Sequence, residues 1–267
     1  MFDDFDQVIE PYWTQTCIGG GSLRIVDSAL RMEFSAARLG QYVDAQIDDY
    51  GSRRRSAFPW QPPLRMEVRA RSALPAATAN ETVESTHILR GTAGFGFWNY
   101  PFSVRGDVLM LPEAVWFFYA SPPSNMSLMP SIPGWGWKAQ VIHSMRLEAL
   151  AATVPLGLTA TWARLSGQTR PAQRWMHKLT GAQEALLPAK MEDWHTYILE
   201  WRSAEALFWV DNELVLRAPQ PPTRPLGFVA WLDNQYAVVT PRGTLRFGTV
   251  ASGPQWFEID AVHIEAC

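Results

Sequence analysis

The feature that most restricts what this chain can become is a period of two. In Leu64-Arg65-Met66-Glu67-Val68-Arg69-Ala70-Arg71 every second residue is apolar and every other one is charged. Successive side chains of a strand point to opposite faces, so this pattern makes a strand with one buried and one solvated face. Tyr42–Asp48 repeats it, with Val43, Ala45 and Ile47 on one side and Tyr42, Asp44, Gln46 and Asp48 on the other. Ser22–Val26 and Ala29–Phe34 flank Asp27-Ser28, and Ala206–Val210 and Glu213–Leu216 flank Asp211-Asn212. Two turn residues between alternating runs predict a hairpin. Further runs fall at Gly91–Trp98, Ala114–Ala120, Trp137–Ile142, Thr196–Trp201, Leu226–Leu232, Thr244–Phe247 and Phe257–Ile264. About a dozen short strands at near-even spacing predict an all-β chain folded as an antiparallel β-sandwich. The 13 Trp and 13 Phe supply core filling, and the 20 Pro and 18 Gly supply turns.

Residues 1–267 are read as one domain, interrupted once. Between His143 and Trp194 the period lengthens to about 3.6, through Leu147, Leu150, Ala151 and Val154, then Leu158, Thr161, Trp162 and Leu165. Pro155 separates these runs, Pro171 opens a third that carries Trp175 and Leu179, and Gly181 closes it. The pattern predicts a short helical insertion over 144–193. It either covers a sheet edge or an interface, or roofs a cleft and brings Trp162 or Trp175 towards Trp98, Trp116 or Trp231.

Composition narrows the partners. A net charge of −3 without a basic stripe gives nucleic acid no electrostatic footprint. No apolar run reaches the roughly 20 residues a membrane helix needs. The opening Met1-Phe2-Asp3-Asp4-Phe5-Asp6 lacks the basic and apolar regions of a secretory signal, so a cytoplasmic location is expected. Cys17 and Cys267 offer neither metal-ligand spacing nor a disulfide framework. There is no glycine-rich phosphate loop, no G-x-S-x-G and no H-E-x-x-H, so neither a catalytic metal nor an organic cofactor is expected.

The C-terminal third carries a resemblance. Trp194-His195-Thr196-Tyr197-Ile198-Leu199-Glu200-Trp201, with Phe208-Trp209-Val210-Asp211-Asn212-Glu213-Leu214-Val215, resembles the W-H-T-Y…E-W…W-Y-V-D-G hairpin of the concanavalin A-like lectins and glucanases. Within that superfamily it is most similar to the family 16 glycoside hydrolases. Pro225–Asn234 resembles their cleft strand, Phe257–Ile264 their closing strand and Leu64–Arg71 an early one, together about half the chain. The resemblance implies a concanavalin A-like jelly roll. It also implies a catalytic strand reading E-x-D-x-x-E, whose matching position here is Leu111–Tyr119. Glu113 stands in the nucleophile's place, but Val115, Phe117 and Tyr119 follow it on the same face and no second carboxylate does. A retaining mechanism needs two carboxyl groups about 5–5.5 Å apart, so the family's reaction is not expected. Glu258-Ile259-Asp260 mimics the motif but reads as a closing strand. The family's structural calcium would fall near Asp260, with Asp3 or Asp4.

The remaining candidates come from the residues themselves. Asp233 in an apolar pocket would have a raised pKa and could serve as acid or base, or Asp233-Asn234 could be only a turn. His143 ends a strand beside the insertion. Asp44 and Asp48 are too far apart on their strand to act as a tight pair, and a solvated face accounts for them. For ligand binding the richest segment runs from Trp98 and Asn99 through Trp116, Tyr119, Asn125, Met126, Met129, Trp135 and Trp137, with Trp231, Gln235 and Tyr236 joining from the cleft strand. Much of it is core filling. Methionines among aromatics make an adaptable apolar wall, which leads to an intracellular enzyme or carrier for a bulky, largely apolar small molecule, using acid–base chemistry if catalytic. The alternatives are a carbohydrate-binding protein on a degenerate glycosidase scaffold, and a glycosidase with relocated carboxylates. The partner in each case is a small molecule or a glycan.

Overall fold

The cleanest alternation in the chain becomes strand β6 (Leu64–Ser72), whose even-numbered residues are buried while Arg65, Glu67, Arg69 and Arg71 face outward. The computed structural model describes residues 1–100, 112–126, 128–129, 132–144, 181–239 and 245–267. The strands before β6 are β1 (Phe2–Asp3), β2 (Thr14–Ile18), β3 (Ser22–Val26), β4 (Ala29–Phe34) and β5 (Asp44–Asp48). After it come β7 (Thr92–Trp98), β8 (Glu113–Ala120), β9 (Asn125–Met126), β10 (Gly136–His143), β11 (Gln183–Leu186) and β12 (His195–Trp201). The chain ends with β13 (Glu205–Val210), β14 (Glu213–Pro219), β15 (Gly227–Asp233), β16 (Gln235–Val239), β17 (Leu245–Thr249) and β18 (Gln255–Ala266).

Two large antiparallel sheets face each other. One has the order β14-β13-β12-β6-β18-β4-β3, with β1 added to β18, and the other β11-β10-β8-β7-β15-β5-β2. A small sheet, β17-β16-β9, continues from the end of β15. Both predicted two-residue turns form. Asp27 and Ser28, and Asp211 and Asn212, all have positive φ, as a primed hairpin turn demands. Between the sheets lies one core, in which Phe95, Phe117, Trp137, Tyr197, Phe208 and Phe257 interlock at centroid separations of 5.1–6.5 Å.

The helical insertion meets the described residues only at its two ends. Ser144 is in a turn, and Gln183–Leu186 is not helical but a strand, with Gln183, Glu184, Ala185 and Leu186 paired to Val141, Gln140, Ala139 and Lys138. The predicted boundary at 193 is therefore too late, because β10 presents a row of edge donors and acceptors that a short strand satisfies better than a helix. The helical runs, with Trp162 and Trp175, lie outside the described residues.

Candidate functional site

The seven-stranded sheet has a second apolar face, turned away from the core, and glycines shape it. On β7, Phe95 and Phe97 point into the core while Gly94 and Gly96 leave bare backbone on the outside. Trp231 of β15 is directly opposite Gly94, and Trp116 of β8 is directly opposite Gly96. A Cβ on Gly94 would lie 2.3 Å from the Phe117 carbonyl oxygen and 3.0 Å from the Trp231 ring, and one on Gly96 would lie 2.6 Å from Trp116. The missing side chains let two tryptophans approach across β7 until their centroids are 5.3 Å apart. Trp98 is 5.9 Å from Trp116 and Phe118 is 5.3 Å from it. Tyr100, Tyr50 and Phe58 extend the row from Trp98 at 5.2, 5.6 and 4.8 Å per step.

Each outward tryptophan is tied down by its own N–H. Trp98 Nε1 donates to the Tyr50 hydroxyl (2.9 Å), Trp116 Nε1 to Gln140 Oε1 (2.7 Å) and Trp231 Nε1 to Thr92 Oγ1 (2.9 Å). Fixed rings lose little further freedom when something stacks on them. Trp98, Tyr100 and Trp116 remain half-exposed, and Met126 packs against the same rings.

Polar groups bound this floor on two sides. Along β10 and β11, Glu184 accepts from Gln140 Nε2 (2.8 Å) and pairs with the buried Lys138 ammonium (3.2 Å). Burial pulls the Lys138 pKa down, against the pull of Glu184. On the other side Asp233 of β15 is directly opposite both Thr92 of β7 and Asp44 of β5. Thr92 Oγ1 donates to Asp233 Oδ1 (2.8 Å), and so does the Gln235 backbone N–H (2.9 Å). Asp44 and Asp233 are only 4% and 7% exposed, and Asp44 Oδ1 has no hydrogen-bond partner. Burial, reinforced by Asp233, pushes the Asp44 pKa up to about 8 although the Tyr42 hydroxyl opposes it. Burial raises Asp233 to about 6, against three hydrogen bonds that favour its ionised form.

The three predicted acid–base residues do not come together. Glu113 and His143 are directly opposite on β8 and β10, 3.4 Å apart, on the core-facing side of the sheet, whereas Asp233 lies on the outer face. The residues that share Glu113's face, Val115, Phe117 and Tyr119, fill the core, so β8 presents Ala114, Trp116, Phe118 and Ala120 outward instead. Burial raises the Glu113 pKa, with Arg224 opposing. Among the predicted binding residues, Trp98, Trp116, Trp231 and Met126 are on the outer face. Tyr119 and Trp137 are in the core, where the Tyr119 hydroxyl donates to the Leu89 carbonyl (2.7 Å) and Trp137 Nε1 donates to the Tyr197 hydroxyl (3.2 Å). Asn99 accepts from the Glu113 backbone N–H (3.1 Å), and Trp135 donates to the Thr78 carbonyl (2.8 Å). Met129 sulfur accepts from the Glu184 N–H (3.2 Å). Asn125, Gln235 and Tyr236 are in the small sheet, with Gln235 exposed.

One further reading changes. Asp44 and Asp48, expected on a solvated face, are both buried. Of the carboxylates named for calcium, Asp260 pairs with Arg69 (2.7 Å), Asp3 accepts from Trp13 Nε1 (2.6 Å) and the Phe5 N–H (2.9 Å), and Asp4 is exposed. Among the described residues no cluster of three or more His, Cys, Asp or Glu has metal-binding geometry, and no helix is long and apolar enough to cross a membrane.

No protein-family model and no curated protein matches the chain. Solved structures do. An endo-acting O-glycanase of the human gut microbiota, described as initiating mucin breakdown, aligns with a TM-score of 0.55 at 12% identity, over 99% of this chain and 97% of that one. A family 16 endo-glucanase from Bacteroides ovatus aligns at 0.50 and 13% identity, over 99% of each chain. The GlcNAcα1-4Gal-releasing endo-β-galactosidase of Clostridium perfringens aligns at 0.50 and 12% identity over 99% of this chain, which spans only 61% of that enzyme. At such identities the likeness concerns architecture: this chain has the concanavalin A-like sandwich found in family 16 glycoside hydrolases.

Proposed function

We propose that the chain binds a glycan across the outer face of the seven-stranded sheet. The observation that carries this reading is the floor of Trp98, Trp116 and Trp231, each indole N–H held by a neighbouring side chain and each ring therefore fixed before a ligand arrives. Sugar rings pair an apolar face with polar edges. The floor matches the first, and Gln140, Thr92, Asp44 and Asp233 at its margins match the second. The structural neighbours, which include enzymes described as acting on glycans, support the same ligand class. Family 16-type hydrolysis through β8 is not part of the proposal, because that strand turns Trp116 and Phe118 outward where paired carboxylates would be needed.

The test is a panel of neutral β-glucan and mucin-type oligosaccharides titrated into the protein by calorimetry, with reducing-sugar release followed in parallel. Saturable binding without sugar release is expected. Absence of binding across the panel sinks the reading, and hydrolysis abolished by Glu113→Gln would restore the catalytic strand. A second reading, a bulky apolar small molecule, draws on Met126 and Leu128 beside the rings. It is favoured if an apolar fluorophore binds, is displaced by no saccharide, and is lost in Trp116→Ala.

A further inference from the structure

We propose that Asp44 and Asp233 hold one proton between them and anchor an uncharged, hydroxyl-bearing ligand at the margin of the aromatic floor, to the exclusion of anionic ones. The ligand class rests on the glycan reading above, while the proton pair stands on geometry alone. The two residues are directly opposite on neighbouring strands and share the outer face, where the Cβ atoms of opposed residues are about 4.5–5.5 Å apart. Both side chains are buried, and Asp44 Oδ1 is without a partner. Two carboxylates this close and this dry cannot both ionise cheaply.

Their register is locked. Asn234, the residue after Asp233, is wholly buried, accepts from the Val43 N–H (2.9 Å) and donates to the carbonyls of Gln41 (2.8 Å) and Val250 (2.9 Å). It thereby clamps the segment that leads into Asp44. The groups facing the pair are the Tyr42 hydroxyl, which hydrogen-bonds Asp44, then Thr92, Asp48 on the same strand face, Tyr100 through Tyr42, and Cys17 from β2. Among the described residues no Lys, Arg or His pairs with either carboxylate. One carboxylic acid beside one carboxylate supplies a donor and an acceptor, the complement of a hydroxyl, which both donates and accepts. A uronate or sulfate would instead bring another negative charge towards Asp44, Asp48 and Asp233. The raised Asp44 pKa and the lower Asp233 pKa agree with the proton residing mainly on Asp44 near neutrality.

The pair is tested first without any ligand, by carbon-13 NMR titration of aspartate carboxyl groups in the wild-type chain, with Asp44→Asn and Asp233→Asn for assignment. Two steps separated by more than about one pH unit are expected, with Asp44 titrating lower once Asp233→Asn removes its neighbour. Titration of both groups together in the ordinary carboxylate range overturns the proposal. Calorimetry with cellohexaose and oligogalacturonate then tests the ligand class. Cellohexaose is expected to bind at least about tenfold tighter than oligogalacturonate and to lose about tenfold in Asp233→Asn. Tighter binding of the uronate, or release of the shared proton by calcium, contradicts the anchoring role. Two-step titration with no saccharide bound overturns the glycan reading while the proton pair survives.

Discussion

The sandwich has two outer faces, and they are built on opposite principles. On the eight-stranded sheet the central charges are paired. Glu258, almost wholly buried, accepts from Arg31 (2.7 Å) and Arg71 (2.8 Å), while Arg69 pairs with Asp260. The same guanidinium groups stack on rings, Arg31 over Trp256 (4.8 Å), and Arg69 and Arg71 over Trp194 (4.7 and 4.6 Å). A ligand arriving there finds its partners already taken. On the seven-stranded sheet the rings pack on one another, and a carboxylate oxygen of Asp44 is left without a partner. A face that satisfies itself gives stability, while one that leaves polar atoms unsatisfied in a dry setting carries a cost that a ligand can relieve.

Breaking the self-satisfied face has the largest expected effect. Glu258→Ala strands two guanidinium groups and is expected to cost about 2–3 kcal/mol, at the low end for a broken buried pair because both arginines reach water. Denaturant unfolding measures the loss, and saccharide binding is expected to be unchanged. Gly96→Ala acts on the other face. Its new Cβ would meet Trp116 backbone at 2.6 Å and the Val115 carbonyl at 2.8 Å, which backbone cannot evade. A cost of about 2 kcal/mol is expected, this time together with loss of binding.

Removing a ring without crowding the sheet is milder. Trp116→Ala is expected to weaken saccharide binding about tenfold, whereas Trp194→Ala on the paired face leaves it intact. The outer face also carries a pH dependence. The Asp44 pKa rises from 3.8 unfolded to about 8 folded, so the folded state holds the extra proton between those values. Its contribution is complete below about pH 4 and is lost as pH rises through 8. Asp49, raised to about 7 by burial against hydrogen bonds from Trp60 and Phe228, pulls the same way. Thermal melts are expected to fall from pH 5 to pH 8, and Asp44→Asn is expected to flatten that fall.

What the sequence disclosed depended on how many faces of a strand are buried. β6 has one wet face, so its alternation and orientation are both legible. β8 is buried on both faces except at Trp116, and no period in Glu113–Ala120 says which side meets the core. Register and packing turn Val115, Phe117 and Tyr119 to the core and Trp116 and Phe118 outward, a choice the sequence of β8 leaves open. The Asp44–Asp233 pair was hidden for another reason. Alternation within Tyr42–Asp48 correctly grouped Asp44 with Asp48, but only strand order and register reveal that Asp233 faces Asp44. The glycine–aromatic alternation of Gly94-Phe95-Gly96-Phe97 was the available clue, since bare positions opposite tryptophans mark the face that rings must cover. Strands β2, β9, β11 and β16 passed unread because they are short and alternate weakly.

The most direct test compares the two faces in one experiment: calorimetric titration of neutral oligosaccharides into the wild-type chain, Trp116→Ala and Trp194→Ala. Saturable binding by the wild type and by Trp194→Ala, with at least about tenfold weaker binding by Trp116→Ala, is the predicted result. Equal binding by all three, or loss of binding through Trp194→Ala alone, would contradict the assignment of the ligand to the outer face of the seven-stranded sheet.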